Sequence, residues 1–533
     1  MQVSLIVSAS ISDSYGFNIL AAQLKKLEPQ VHTKLFYIFY DFNKPYPESV
    51  LNQLAQLCQG SDLVGISLLS SAFKNSIQIT KIIKEKVGCP VIWGGKHPTA
   101  DPEDSIKYAD MICIGEGEDV LIEVIDNLIT GHSMENVAGI WYKENDVVHK
   151  NNLRVFETNL DRFIFPDYTL DKKFILDVSN MIIRPLEKKD LSSMIKWYPT
   201  MITRGCPNCC TFCTNSSDIR LRNMRARSVD NVIKEVKNFI VDNPGVKKVF
   251  FRDDCISAMS LSFIEELSAK WKKEVDLPCS CSGVIATSPE FEKKIELLVK
   301  AGFTDFKMGI QSGCERVRRF VFARVGETDE VIKKAVDILH RKCPGKINYY
   351  MITDNPYETE DELVQSIRFT SRLKRPFSLS LYSLNFYPGT ALYVRAMRDN
   401  FIDKESALME STMHMKNTYL NKIFLLLRYF EIPYFIINFF TNKKIYNDQR
   451  FQKIFSYLYK FLMATETPHR NIEVPNLKRE LRYVLSTKKL WLGRWTRLLV
   501  WNFISILFVT YQRVFNYLDI ENLCAMIKEK FVL

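Results

Sequence analysis

Thr203-Arg204-Gly205-Cys206-Pro207-Asn208-Cys209-Cys210-Thr211-Phe212-Cys213 puts four of the chain's 13 cysteines within eight residues. Cys206, Cys210 and Cys213 stand at the spacing C-x3-C-x2-C. Three thiolates on one short loop can hold three corners of a cubane [4Fe-4S] cluster and leave the fourth iron open to another ligand. A structural zinc site takes four protein ligands, and no second cysteine pair or histidine pair stands at zinc-finger spacing. Cys209 is a nearby fourth thiol, but its adjacency to Cys210 makes a tetrahedral set awkward. Most other cysteines sit in apolar runs such as Met111-Ile112-Cys113-Ile114, as small core residues do. The start MQVSLIVSAS has no basic signal-peptide region, so the expected compartment is reducing and cytoplasmic.

The loop ends the first strand of a βα series. Strands are expected at Thr200 to Thr203, Lys248 to Phe251, Cys279 to Ser282, Asp305 to Ile310, Ile347 to Ile352 and Leu379 to Phe386. Helical patterns intervene at Val229 to Val241, Leu261 to Glu274, Pro289 to Ala301, Asp329 to Arg341 and Glu360 to Leu373. Such alternation predicts an α/β barrel or partial (β/α)6 barrel of the TIM type, with its site at the carboxyl ends of the strands.

Upstream, short apolar runs at Val3 to Ser8, Lys34 to Tyr40, Leu63 to Leu69, Pro90 to Trp93 and Met111 to Ile114 alternate with amphipathic stretches. These predict a doubly wound, Rossmann-like parallel sheet. Their carboxyl ends carry Ser10-Ile11-Ser12-Asp13, Ser67-Leu68-Leu69, Gly94-Gly95-Lys96-His97-Pro98-Thr99 and Gly115-Glu116-Gly117-Glu118, small and polar residues on the edge where such sheets bind ligands. The expected boundaries are 1–135 for this domain, 136–195 for a less regular connector, 196–395 for the barrel and 396–533 for a mainly helical module.

With 533 residues, 47% apolar content and only 20 Gly and 20 Pro, the chain is folded and multidomain. Its formal charge of +11 is local, because residues 401–533 hold 20 Lys/Arg against 11 Asp/Glu, and 25 of the 65 aromatic residues. The runs Ile423 to Phe440 and Leu498 to Tyr511 are interrupted by polar residues short of the ~20 needed to span a bilayer. Lys488-Lys489-Leu490-Trp491-Leu492-Gly493-Arg494-Trp495 and the six basic, acid-free residues within Leu481 to Leu518 suit an interfacial helix, peripheral at the inner face of an anionic membrane. A helical cap packed on the barrel is an equally good reading. Interleaved aliphatics argue against nucleic acid.

The three-cysteine loop, with Phe212 before its last thiol, resembles that of the radical S-adenosylmethionine (SAM) superfamily, and specifically the subfamily with a cobalamin (B12)-binding domain ahead of the barrel. Arg225-Ala226-Arg227-Ser228, Phe251-Arg252-Asp253-Asp254, Gly309-Ile310-Gln311-Ser312-Gly313 and Pro388-Gly389-Thr390 match more weakly. The resemblance covers about residues 1 to 400 and implies SAM chelated to the open iron and cleaved by one electron to methionine and a 5′-deoxyadenosyl radical. It places Phe212, Asp253, Asp254, Gln311 and Ser312 near SAM. Ser12, Asp13, Ser67, Gly94, Gly95, His97, Glu116 and Gly117 fall near cobalamin. None of the seven histidines lies in a D-x-H-x-x-G motif, so cobalamin is expected without a histidine lower ligand. Gln311 stands where the family usually has Glu, and the segment around Pro356 lacks an expected glycine, pointing to a reshaped loop.

The implied activity is modification of an unactivated carbon, by C-methylation through methylcobalamin, in a small-molecule, hydrophobic or lipid-like substrate, with a reductant such as flavodoxin or ferredoxin. A radical cyclase or rearrangement enzyme without methyl transfer, and a non-catalytic iron-sulfur sensor, are the alternatives. No spacing selects a catalytic side chain that quenches or relays the radical.

Overall fold

In the computed structural model residues 1–403 and 415–466 are described. β1 (Gln2–Val7), β2 (His32–Tyr37), β3 (Leu63–Ser67), β4 (Val91–Gly94) and β5 (Met111–Cys113) lie parallel in the order β5-β4-β3-β1-β2. β1, β3, β4 and β5 are nearly continuously buried, as strands covered on both faces require, whereas β2 is buried only over Leu35–Tyr37. Helices Glu48–Leu57 and Phe73–Lys86 supply Val50, Leu54, Ile79 and Ile83 to a core with Ile6, Phe36, Val64, Trp93 and Ile112. Tyr15–Leu24 and Glu118–Thr130 pack against one another. The chain reverses direction across the sheet between β1 and β3, so the crevice outside their carboxyl ends is where a ligand binds.

The connector is more regular than its sequence pattern. β6 (Ile140–Glu144) and β7 (Val147–Lys150) form an antiparallel hairpin on the β5 edge. β8 (Lys173–Asp177) pairs parallel with β2 and β9 (Ile182–Pro185) antiparallel with β8, giving nine strands. These strands are short and partly exposed, so they carry little apolar signal. The two-residue turn Asn145-Asp146, with φ of 48° and 63°, was the readable cue.

The second sheet contains β10 (Trp197–Thr200), then, after the small antiparallel ribbon of β11 (Thr203–Arg204) and β12 (Arg225–Ala226), β13 (Lys248–Phe251), β14 (Cys279–Val284), β15 (Phe303–Gln311), β16 (Ile347–Thr353) and β17 (Ser378–Ser383). Its six strands are parallel and in sequence order, with β10 and β17 as unpaired edges, so it is a partial barrel. Four of the crossover helices start on side-chain caps: Ser228, Ser260, Thr328 and Thr359 accept from the backbone N–H of Asn231, Phe263, Val331 and Glu362. Each satisfies an otherwise orphaned donor of the first turn.

After the barrel, helices Tyr419–Tyr429 and Tyr434–Phe440 pack on helix Glu360–Ser371, burying Ile423, Phe424, Leu427, Ile437 and Phe440. The apolar run at 423–440 is therefore the core of a cap. One compact unit ends at Asn442 and a second starts at Lys443, containing helices Lys443–Tyr446 and Gln449–Glu466. The basic, tryptophan-bearing stretch within Leu481 to Leu518, together with Cys524, His414 and His469, lies outside the described residues. Among the described residues no helix is long and apolar enough to cross a membrane.

Candidate active site

The cysteine loop leaves β11 through Gly205, whose φ is +96°. A Cβ there would lie 2.4 Å from the carbonyl oxygen of Leu221, the same oxygen that accepts from Cys206 N at 2.9 Å. Glycine thus lets the chain turn into the loop while the helical turn Ile219–Arg222 closes on it. Downstream, Thr211 is tied on three sides: its N donates to Phe322 O (3.2 Å), its hydroxyl to Val321 O (2.5 Å), and its carbonyl accepts from Leu392 N (2.9 Å). Ser216 Oγ lies 2.7 Å from the carbonyl oxygens of both Cys210 and Cys213. These bonds fix the loop between the β15 exit and the helix that closes the barrel.

The three thiols occupy different environments. A hydrogen bond with the buried Cys255 holds Cys206 below the ordinary thiol range. Burial raises Cys210, against the pull of Arg324, and raises Cys213 to about 11. Arg324 Nη1 lies 3.5 Å from Cys210 Sγ, its Nη2 donates to Gly309 O at 2.9 Å, and Glu327 pairs with it. A cation against a buried sulfur fits a site built for thiolates. Among the described residues no three His, Cys, Asp or Glu side chains converge on a single ion. A cubane takes each thiolate on a different iron, so its ligands stand apart, and the donor set fits that group.

Of the residues expected near SAM, Asp254 is exposed beside this loop, with Lys96 and Asn215 facing it. Gln311 ends β15 at a register shift with φ of +70°, its amide folded over Gly309, where a Cβ would sit 2.3 Å from Nε2. The Phe212 ring packs edge-on to Phe322 at 5.0 Å in an apolar cluster, leaving only its backbone toward the loop. The Asp253 carboxylate is buried and turned onto the segment that leads into the cysteine loop. Oδ1 accepts from Ile202 N (3.0 Å), Thr203 N (2.5 Å) and Thr203 Oγ1 (2.6 Å), and burial pushes its pKa up to about 6. Ser312 is likewise committed, to Glu358 (3.1 Å) and Ser366 (3.0 Å). Burial raises Glu358 to about 7.

A cavity of about 490 Å³ opens at the carboxyl ends of β1 and β3. Leu5, Val7, Gly65 and Ile66 line its apolar floor, and Asp13, Ser67, Gly94, Gly95, Glu116 and Gly117 are also among its lining. Ser12 and His97 are not. Ser12 bonds Ser10 at 2.9 Å. His97 is wholly buried, its ring tilted against Phe73 at a centroid distance of 4.4 Å, with Nδ1 3.1 Å from Ser70 Oγ. Its burial makes it a fixture of the β4 loop. No histidine is among the lining residues. The other wall is formed by the ends of the cysteine loop, through Arg204, Gly205 and Thr214, and by Asp254 after β13. The volume lies within the range of cofactor sites, and the apolar floor with a polar rim suits a large cofactor seated between the two sheets.

The two halves are clamped through Glu116, expected from sequence near cobalamin, and through arginines given no role there. Glu116 accepts from Arg225 at 2.5 and 2.9 Å and faces Arg204 at 3.3 Å, while Arg204 also bonds Glu118 at 2.5 Å. Burial works against the Glu116 carboxylate, but both arginines outweigh it and hold it below the usual range. Arg227 donates to Tyr15 Oη (2.9 Å) and pairs with the buried Glu235 (2.7 Å). The Arg225-Ala226-Arg227 motif was the available signal. Arg324 had none, since it lies 114 residues from the thiol it meets.

The family model of the Radical SAM superfamily matches residues 200–370, and that of the B12 binding domain matches residues 1–125. The chain belongs to the radical SAM superfamily, in the group with a B12-binding domain. It is an enzyme of the B12-dependent radical SAM class. An uncharacterized methyltransferase of Pyrococcus horikoshii is 27% identical over 347 residues, 64% of this chain and 70% of that protein. The bacteriochlorophyllide d C-12(1)-methyltransferase of Chlorobaculum tepidum is 28% identical over 255 residues, 48% of each. The radical SAM methyltransferase TsrM from Kitasatospora setae, solved with cobalamin and a [4Fe-4S] cluster, shares the fold. Its TM-score is 0.60 at 14% identity, covering 75% of this chain and 78% of that one.

Proposed function

We propose that this radical SAM enzyme methylates an unactivated carbon of a small, largely apolar substrate. The observation that carries the reading is the shared cavity, with the glycine and serine edge of the first sheet on one side and the cysteine loop on the other. When bound, a [4Fe-4S] cluster and cobalamin would supply one-electron cleavage of SAM and transfer of a methyl group.

The chain's own residues hold and orient. Cys206, Cys210 and Cys213 would be the cluster ligands, with Arg324 stabilising the Cys210 thiolate. Gln311 and Asp254 border the space left for SAM, and the Ser312–Glu358–Ser366 network fixes the turn behind Gln311. Gly94, Gly95 and Ser67, which line the cavity, would approach the corrinoid. Glu116, Arg225 and Arg204 keep the two edges in register. A flavodoxin- or ferredoxin-type protein would deliver the electron.

Anaerobic reconstitution followed by dithionite and SAM is expected to yield 5′-deoxyadenosine and methionine, and the purified protein is expected to show a corrinoid absorption spectrum. An intact cluster that binds SAM without either product would remove the enzyme reading in favour of a sensor. Turnover by corrinoid-free protein would favour rearrangement chemistry without methyl transfer.

A further inference from the structure

β13, β15 and the first half of β16 alternate buried residues with half-exposed ones. Phe250 on β13, Lys307 on β15, and Asn348 and Tyr350 on β16 share the half-exposed face. Three cations stand on or beside it, and two are matched. Lys248 Nζ bonds Asp305 Oδ2 (2.5 Å) and Thr304 Oγ1 (2.8 Å), and Arg252 pairs with Asp13.

Lys307 is different. Among the described residues it has no ion pair and no hydrogen bond, and its ammonium lies 3.8 Å from the centroid of the Phe250 ring. The Arg252 guanidinium lies 5.5 Å from the same ring. Asp305, the acid on the same strand, is already committed to Lys248 and to Lys346 N. Burial first, and the positive charge of Arg252 second, push the Lys307 ammonium below its ordinary range. A cation–π contact offsets only part of the cost of a half-buried charge beside another cation. An anionic ligand would offset the rest.

The surroundings suit a flat apolar body attached to that anion. Lys307 is opposite Asn348 in register, and Gly309, which has no side chain of its own, is opposite Tyr350. Lys307 and Tyr350 therefore stand diagonally across the parallel pair of β15 and β16, on one face. Tyr382 meets Tyr350 edge-on at 5.8 Å, and neither hydroxyl has a hydrogen-bond partner among the described residues. Gln311, whose amide is folded over Gly309, bounds this face toward the proposed SAM space.

We propose that Lys307, with Arg252 beside it, receives the carboxylate of an aromatic substrate whose ring lies between Phe250 and Tyr350. The inference rests on the methyltransferase reading and narrows its substrate class from apolar to aromatic and anionic. It is tested by calorimetric titration of the full chain, reconstituted anaerobically with cluster and cobalamin, against naphthalene-2-carboxylate and naphthalene-2-carboxamide.

The carboxylate is expected to bind at least tenfold more tightly. Lys307→Met should erase that preference and Lys307→Arg should keep most of it; if the Met variant does not retain its cluster, Lys307→Gln takes its place. Equal binding of the two probes, binding of neither, or a preference that survives in Lys307→Met overturns the proposal. So does loss of SAM binding in that variant, which would assign the ammonium to the SAM carboxylate. Formation of 5′-deoxyadenosine is scored separately. A chain that prefers the carboxylate but never cleaves SAM removes the enzyme reading and leaves the anion site, whereas cleavage without the preference does the reverse.

Discussion

The two sheets of the first compact unit solve the same packing problem differently. In β1, β3, β4 and β5 burial is nearly continuous, because helices cover both faces and only the carboxyl edge is free for a ligand. In β13, β15, β16 and β17 buried and half-exposed residues alternate, because the helices lie on one side. A doubly wound sheet therefore offers a crevice, whereas a singly wound open one offers an edge and a face. The cysteine loop uses the edge, and the face keeps polar and aromatic side chains that no helix packs against.

The contrast is broken most sharply at the cysteines. Cys210→Ala is expected to abolish the cluster and reduce 5′-deoxyadenosine formation to background, read by iron content and product assay. Cys58→Ala, a wholly buried thiol of the first sheet's core, should cost only about 1 kcal/mol and leave turnover intact. If Cys209→Ala rather than Cys210→Ala removes the cluster, the ligand assignment fails.

Next in size is Gly205→Ala. A left-handed backbone and a 2.4 Å approach to Leu221 O should together cost at least ~2 kcal/mol and impair cluster retention even with all thiols present. A parent-like thermal midpoint and iron content would contradict this.

Arg225→Met tests whether the two edges depend on their clamp. Removing one partner of Glu116 in a partly buried setting should cost about 2 to 3 kcal/mol, and corrinoid should wash out faster on gel filtration. Unchanged corrinoid retention would show that the remaining pairs of Arg204 suffice.

The smallest effect is a pH slope. Asp253, at about 6 when folded against ~3.9 unfolded, holds its proton more tightly in the native state. Its contribution to stability is present below about pH 4 and is lost as pH rises through 6, amounting to roughly 2 kcal/mol between those values. Asp253→Asn keeps an oxygen for Ile202 and Thr203 and should flatten that slope in thermal midpoints measured from pH 4 to 7. An unaltered slope would mean that another group, such as Asp254 beside it, dominates the titration.

Much of this architecture was legible along the chain. Apolar runs such as Leu63–Ser67, and helices opened by Ser260 or Thr359, are local events governed by burial pattern and capping, and they fall where the sequence pattern places them. The edge hairpins were less legible, because β7 has no buried residue to mark it. The settings of Asp253 and His97 were not legible for a related reason. Both stand beside loops that carry candidate site residues, and no sequence pattern records whether a side chain turns toward a cavity or onto a neighbouring segment.

By itself the sequence determined the three-cysteine loop, the two βα series and the concentration of basic charge in the last quarter of the chain. These depend on spacing and composition, which are properties of neighbours along the backbone. Only the tertiary structure brought Arg324 to Cys210 and Arg225 to Glu116, paired Asp305 with Lys248, and left Lys307 with a ring in place of a counter-ion. Such charge matching depends on strand register and on loops meeting across more than a hundred residues, distances over which local sequence carries no record of who faces whom.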